Sequence, residues 1–161
     1  MLHFTTFMLL EQRIQQTKPF RSEHERAAVN VLYSATWILE HMRDFLAGYD
    51  ITQQQYNVLR ILRGQYPENI STCDIRDRMI DRSPDASRIV DRMIGKGLVQ
   101  KATSAKDKRR IDVKITSTGL SLLEQIEVAM ERPDNLLRGL SSDECSQLNA
   151  LLDKMKKIDN E

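Results

Sequence analysis

The sequence is poor in the residues that build disulfide scaffolds and metal sites. Its 161 residues include two cysteines, three histidines and one tryptophan. Cys73 and Cys145 lie 72 positions apart with no Cys-x-x-Cys spacing and no neighbouring histidine, a pattern that supports neither a disulfide framework nor a zinc site. His24 and His41 likewise lack the spacing of metal ligands. The sequence therefore predicts no metal and no cofactor, and both cysteines are interpreted as structural thiols.

Long apolar runs and catalytic motifs are also lacking. The longest candidate run ends at Glu11, after Phe7-Met8-Leu9-Leu10, and is far shorter than the ~18 residues of a membrane span. Residues 1–10 have neither the basic start nor the cleavage site of a signal peptide. There is no Gly-rich phosphate loop and no compact nucleophile–base group. These absences argue against a membrane protein and against an enzyme, and they predict a cytoplasmic protein.

Charge is nearly balanced overall, with 24 basic and 23 acidic residues, but it is unevenly distributed. Residues 1–75 carry a net charge of −1, residues 76–114 carry +6 and residues 115–161 carry −4. A basic middle block between acidic ends is typical of a local anion-binding surface. The alternative is a solvated charged face.

Several helix starts are marked by capping residues. Ser22, Thr52 and Ser141 each precede Glu or Gln by three positions, and Ser71 precedes Asp74 in the same way. Together with apolar residues at steps of three and four, these starts predict helices over 22–47, 52–63, 71–79 and 141–158. A further helix begins at residue 116 or 117 and ends before residue 133.

The middle block has its own pattern. Ser83 followed by Pro84 predicts a helix start, and the apolar stripe that follows comprises Ala86, Ile89, Val90, Met93 and Ile94. After Gly97 the period changes to two, at 98–99 and 111–115, which predicts two strands joined by the basic segment 104–110. Two short helices and a basic-tipped hairpin form a winged helix-turn-helix. The fold class is mainly α (α+β), and the long helices on either side need each other or a second subunit to bury their stripes.

These residues resemble the MarR family of bacterial transcriptional regulators. The resemblance lies in Gly97-Leu98-Val99, in the run from Asp107-Lys108-Arg109-Arg110 to Thr116, and in Gly119, which match the family's Asp-x-Arg wing and Thr-x-x-Gly helix start. Residues 51–62 and 90–93 resemble its second helix and recognition-helix core. The similarity extends over roughly residues 22–158.

The resemblance implies a homodimeric repressor. Residues 1–50 and 117–161 would form a dimerisation domain, and residues 51–116 a DNA-binding module. A two-fold dimer presents its recognition helices to major grooves about 34 Å apart, so its operator is pseudo-palindromic. Such proteins are released from double-stranded DNA by a small-molecule effector, and their function is binding rather than catalysis.

The wing residues take their roles from this resemblance. Arg109 matches the wing-tip arginine that enters the minor groove, and Asp107 is expected to orient it. Lys106, Lys108 and Arg110 are candidates to neutralise phosphates.

The exposed face of the recognition helix supplies the other candidates. Ser87 and Arg88 are expected to contact base edges, and Ser83 a phosphate. Arg92 either binds phosphate or pairs with an acidic residue. The carboxylates at 85 and 91 either accept from cytosine or, as the favoured interpretation, are paired within the protein.

An effector cleft is expected between the dimer helices and the winged module, near Tyr33, Trp37, His41 and Tyr56. The alternative is that these residues belong to the core or the dimer interface. Two other functions stay open: redox sensing through Cys73, which lies near Arg76 but not at the position of the family's peroxide sensors, and a winged-helix module that binds protein. The four cations of the 104–110 tip favour DNA over a protein partner.

Overall fold

The chain is mostly helical, with a small antiparallel sheet, which confirms the predicted fold class. The computed structural model describes residues 8–81, 85–103, 111–130, 136–137 and 139–156. The elements, in chain order, are α1 (Leu10–Arg13), α2 (Glu23–Ala47), α3 (Gln53–Arg63), β1 (Ile70–Ser71), α4 (Thr72–Arg78), α5 (Ala86–Gly95), β2 (Val99–Thr103), β3 (Ile111–Ile115), α6 (Ser117–Met130) and α7 (Ser142–Met155). None of the described helices is long and apolar enough to span a bilayer.

The predicted capping residues begin four of these helices. At α3 the Thr52 hydroxyl accepts from the Gln55 amide at 3.2 Å, and the Gln55 side chain accepts from the Thr52 amide at 3.1 Å. Ser71 and Ser141 begin α4 and α7 with equivalent boxes. The hydroxyl of Ser22 accepts from the amide of Glu25 at 3.1 Å at the start of α2. These bonds satisfy amides that have no partner within the helix.

Two element boundaries differ from the prediction. Helix α5 begins at Ala86, and its N-cap residue, Asp85, makes no side-chain capping bond; the predicted start at Ser83 and Pro84 lies outside the described residues. Leu98 is not a strand residue, because its amide donates to the carbonyl of Met93 at 3.0 Å and closes α5 instead.

The sheet contains one strand that periodicity did not indicate. Its order is β1-β3-β2, and both pairings are antiparallel. Val99 pairs with Ile115 at the base of the β2–β3 hairpin. β1 is only two residues long, too short for an alternating pattern, and pairs Ile70 with Val113.

The chain divides into two compact units, Met1–Met42 and Arg43–Glu161. In the first unit, the Glu11 carboxylate of α1 lies 2.5 Å from the Arg26 guanidinium of α2. The hydrogen bond from Arg26 lowers the pKa of Glu11. This contact, with the buried side chain of Leu10, holds α1 against the N-terminal half of α2.

Helix α3 is central to the second unit. Its side chains at Val58, Leu59 and Leu62 are fully buried among residues from α4, α5, the sheet and α6. On the rim of this core the Arg63 guanidinium lies 2.5 Å from the Glu127 carboxylate of α6. The hydrogen bond from Arg63 lowers the pKa of Glu127.

The start of α6 packs closely against the turn that follows α5. The hydroxyl of Thr116 donates to the carbonyl oxygens of Gly97 and Leu98, at 2.7 and 3.0 Å, and accepts from the amide of Gly119 at 3.1 Å. A Cβ at position 119 would lie 2.8 Å from the Ile115 side chain and closer still to the Leu98 carbonyl oxygen. The Thr-x-x-Gly motif is therefore explained by packing.

Replacing Gly119 with alanine should destabilise the second unit. The new methyl group meets backbone, which cannot move aside as a flexible side chain would, so we expect a loss of about 1–3 kcal/mol in the free energy of unfolding. Chemical denaturation of both proteins measures it. Gly95→Ala is the matched control, because a Cβ at position 95 meets no atom within 4 Å; equal stability of Gly119→Ala and the parent would contradict the packing argument.

Candidate nucleic-acid interface

Helix α5 has one buried face and one exposed face, as the sequence predicts. Ala86, Ile89, Val90 and Met93 of the apolar stripe are buried, and Ile94 is half-buried. The exposed face carries Asp85, Ser87, Arg88, Asp91 and Arg92. A helix that is anchored on one side and polar on the other has the form required to enter a major groove.

The turn before α5 is held by α3. The amide of Ile80 donates to the side-chain oxygen of Asn57 at 3.0 Å, and the Gln54 side chain donates to the Asp81 carboxylate at 3.3 Å. The side chain of Ile80 is 90% exposed. These contacts hold Ile80 and Asp81, at the end of the described segment that follows α4, against α3.

Both carboxylates on the exposed face lie near cations. The Asp91 carboxylate is 2.9 Å from the Lys101 ammonium of β2, and that of Asp85 is 3.9 Å from the Arg88 guanidinium. The geometry agrees with the interpretation that these carboxylates are paired within the protein. Arg92 is exposed, and no carboxylate of the described residues lies within ion-pair distance of it.

Of the predicted wing, the structure describes the two strands β2 and β3 but not the 104–110 segment between them. β2 and β3 pair from Val99–Ile115 to Thr103–Ile111, which places the ends of the 104–110 segment together. The predicted wing residues Lys106, Asp107, Lys108, Arg109 and Arg110 lie outside the described residues, as does Ser83. Their roles stay predictions.

Several residues that shape this surface carried no recognisable signal in the sequence. Gln54 and Asn57 stand three positions apart on α3, on its polar side, and a one-turn spacing of amides before a helix-turn-helix is a weak indication at best. Lys101 lies two positions after the buried Val99, on the same face of β2, so strand period does not predict its exposure. Strand period does not predict its contact with Asp91 either.

Two of the four effector candidates lie together. Tyr33 and Trp37 line a cavity of about 380 Å³ in the first unit, whose other lining residues are Met8, Leu9, Leu10, Arg13, Arg26, Asn30 and Ser34. The ring of His41 lies 4.4 Å from that of Trp37, and its Nδ1 donates to the Trp37 carbonyl at 2.8 Å. Arg13 donates to the Met8 carbonyl and has no carboxylate partner among the described residues.

The fourth candidate, Tyr56, is a core residue. It is 8% exposed in the second unit, and its hydroxyl donates to the sulfur of Met130 at 3.5 Å. The Arg60 guanidinium lies over its ring, 5.9 Å from the centroid. This environment is that of a packing residue between α3 and α6, which favours the alternative that Tyr56 belongs to the core.

The redox alternative gains no structural support. Cys73 and Cys145 are free thiols, the first exposed and the second half-buried. Arg76, the cation expected near Cys73, lies 3.2 Å from the Asp77 carboxylate. Arg76 is therefore paired with its neighbour Asp77.

The helix-turn-helix of α4 and α5, followed by the β2–β3 hairpin, defines the class: a winged helix-turn-helix protein. The MarR family model matches residues 51–111, which is this module. The chain is 31% identical to the HTH-type transcriptional repressor IacR of Pseudomonas putida over 115 residues, covering 71% of this chain and 68% of that one. It is 28% identical to the HTH-type transcriptional regulator FarR of Neisseria gonorrhoeae over 145 residues, covering 88% and 97%. The chain belongs to the MarR family of winged-helix transcriptional regulators.

Solved structures share the fold. A mutant of Escherichia coli MarR complexed with operator DNA superposes with a TM-score of 0.73 at 24% identity, covering 86% of this chain and 99% of that one. A MarR transcription factor from Planctomyces limnophilus gives a TM-score of 0.64 at 29% identity, covering 84% and 98%. The similarity therefore includes the flanking helices as well as the winged module.

Proposed function

We propose that this protein is a homodimeric repressor that binds a pseudo-palindromic operator and is released by a small-molecule effector. The observation that carries the DNA-binding part is the exposed polar face of α5, which is backed by a buried apolar stripe and lies beside a hairpin with a basic tip. In this proposal residues 51–116 are the DNA-binding module, and residues 1–50 and 117–161 form the dimerisation domain.

In this proposal both the exposed face of α5 and the wing contact the DNA. Arg88, 78% exposed and only loosely paired, extends to guanine edges with Ser87. Arg92, which pairs with no carboxylate of the described residues, takes a phosphate. The charge of Asp91 is compensated by Lys101. Arg109 enters the minor groove, oriented by Asp107; Lys106, Lys108 and Arg110, with Ser83, hold phosphates.

The homodimer rests on apolar side chains that the single chain leaves exposed. Helix α7 has no buried residue, and its Leu148, Leu151 and Met155 are 38%, 65% and 51% exposed on one face. Over its 25 residues α2 buries only Leu46, while Leu32 and Leu39 are 68% and 54% exposed. Exposed apolar side chains along one face of a helix are typical of an interface. A second copy covers both.

The effector site is the cavity lined by Tyr33 and Trp37. Its apolar wall, indole ring and Arg13 guanidinium suit a small organic anion with a flat apolar body. His41, whose ring is tilted by 48° relative to that of Trp37, lies next to this site. Tyr56 has no part in it.

Replacing Arg109 with alanine should weaken operator binding by about 1–3 kcal/mol, because a buried groove contact is lost. A fluorescence-anisotropy titration with an operator from in-vitro selection measures the change. Arg21→Ala is the control, since Arg21 is 88% exposed and pairs with Glu25 before α2. Unchanged affinity for Arg109→Ala would remove the wing from the proposal.

Replacing Leu151 with glutamate should convert the dimer to a monomer and abolish high-affinity operator binding, because a charge is buried without a partner in the interface. Sedimentation velocity gives the mass. Ser146→Glu, on the opposite side of α7 from the face of Leu148, Leu151 and Met155, adds the same charge and should leave the dimer intact. A dimeric Leu151→Glu protein would show that α7 lies outside the interface.

The fluorescence of Trp37, the single tryptophan, should be quenched saturably by benzoate and not by neutral benzamide. Arg13→Ala should raise the benzoate dissociation constant about tenfold or more, because a charged hydrogen bond is lost. Benzoate should also lower operator affinity in the parent protein. Equal quenching by both compounds, or none by either, would contradict the anion site.

A further inference from the structure

We propose that Asp50 and Lys96 form a positioning pair that sets the tilt of the recognition helix α5, an inference that rests on the DNA-binding function proposed above. Lys96 is the C-cap residue of α5, and its ammonium lies 2.8 Å from the Asp50 carboxylate. The same ammonium donates to the backbone carbonyl oxygen of Asp50. One lysine thus binds two oxygens of a single residue 46 positions away.

Asp50 is held in a rigid turn. It follows the end of α2 with φ of 54°, in the left-handed region, and its amide donates to the carbonyl of Ala47 at 3.1 Å. The next residue, Ile51, is buried and bonds back to the carbonyl of Leu46, which is also buried. The turn is therefore pinned to the core on one side and presents both Asp50 oxygens to Lys96 on the other.

The C-terminal end of α5 is equally well defined. Gly97, with φ of 70°, and Leu98 close the helix by donating to the carbonyls of Ile94 and Met93 at 2.9 and 3.0 Å. Lys96 lies inside this closed turn, so its stem leaves the helix in a fixed direction. The pair consequently joins two rigid turns.

The pair acts on DNA binding through leverage. Helix α5 has ten residues at about 1.5 Å per residue, so a tilt of about 10° about its N-terminal end moves the backbone at Arg92 by about 1–2 Å. The same tilt moves side-chain atoms of Ser87 and Arg88 that lie about 5–6 Å from the helix axis by about 1 Å. Hydrogen bonds to base edges tolerate only a few tenths of an ångström. Asn57 and Gln54 hold Ile80 and Asp81, which precede α5 in the chain, and Lys96 supplies a restraint at the other end of the helix.

The pair should matter more for DNA binding than for stability. Asp50 is 93% exposed and Lys96 33% exposed at the side chain, and ion pairs at this exposure contribute little to the free energy of unfolding. A pair that only stabilised the fold would change the melting temperature and operator affinity together. A positioning pair changes affinity at nearly constant melting temperature.

The test is a double-mutant cycle of Asp50→Asn, Lys96→Met and their combination. Asparagine tolerates the positive φ at position 50, and methionine keeps the unbranched stem at 96. Operator affinity is measured by fluorescence anisotropy over a range of salt concentrations, and thermal unfolding is followed in parallel. Asp44→Asn and Arg43→Met, which break the exposed pair between neighbours at 3.2 Å, are the matched controls.

Each single variant should bind operator about fivefold or more weakly, with the double variant no worse than the weaker single. In each variant the slope of log affinity against log salt concentration should equal that of the parent protein, and the melting temperature should lie within about 2 °C of the parent's. Lys96→Arg, which keeps the positive charge, should bind operator with parental affinity. The opposing result has two parts. Lys96→Met lowers the slope of log affinity against log salt concentration by about one unit, and Asp50→Asn binds operator as tightly as the parent. That outcome makes Lys96 a phosphate contact and overturns the proposal, as does parental affinity in every variant.

A measurement on the free protein, without DNA, tests the positioning role independently of the proposed DNA-binding function. Amide hydrogen exchange over residues 92–98 should accelerate in Asp50→Asn and not in Asp44→Asn, because the last turn of α5 loses its restraint. If the parent binds no duplex, the proposed function is wrong, and the exchange rates still decide whether Asp50 holds α5. Unchanged exchange in Asp50→Asn overturns the positioning role whatever the protein binds.

Discussion

The recognition helix depends on one crowded junction, where the first turn of α6 lies against the carbonyl group of Leu98. That oxygen accepts from both the amide and the hydroxyl of Thr116, at 3.1 and 3.0 Å. Gly119 has no side chain, and this lets the two backbones approach each other. Because Leu98 lies in the short turn between α5 and β2, and Thr116 follows β3 directly, the junction links α5, the hairpin and α6. Any displacement of α6 is therefore transmitted to the end of α5 and to the base of the wing.

Sequence predicted the parts of this molecule whose causes are local. Caps such as Thr52 with Gln55, and the buried stripe of α5, depend on residues within four positions, so the pattern and the structure agree. The contacts that orient α5 are not local: Gln54 meets Asp81 across 27 positions and Asp50 meets Lys96 across 46. Nothing in the residue types at these positions specifies their partners. The fold and the exposed face of the site were predictable from sequence, and the restraints behind that face were not.

Burial distinguishes one of the aromatic candidates for the effector site from the others. Tyr33, Trp37 and Tyr56 have the same chemistry in sequence, an apolar ring with a polar edge. Only the packing of α3 on α6 distinguishes Tyr56, whose hydroxyl finds the sulfur of Met130, 74 positions away. The first two lie in a helix that leaves most of its surface open within its own unit. Long-range packing therefore decides which aromatic residues line a cavity and which belong to the core, and the residue types alone do not predict this.

The proposed partner subunit and the proposed effector would occupy opposite faces of α2. Successive helical residues are about 100° apart, so a residue two positions on lies about 200° around the helix. Leu32 follows the cavity residue Asn30 by two positions, and Leu39 follows Trp37 in the same way. An anion in the cavity would thus leave the apolar face of α2 free for the proposed second copy, so the two proposed partners do not compete for the same side chains.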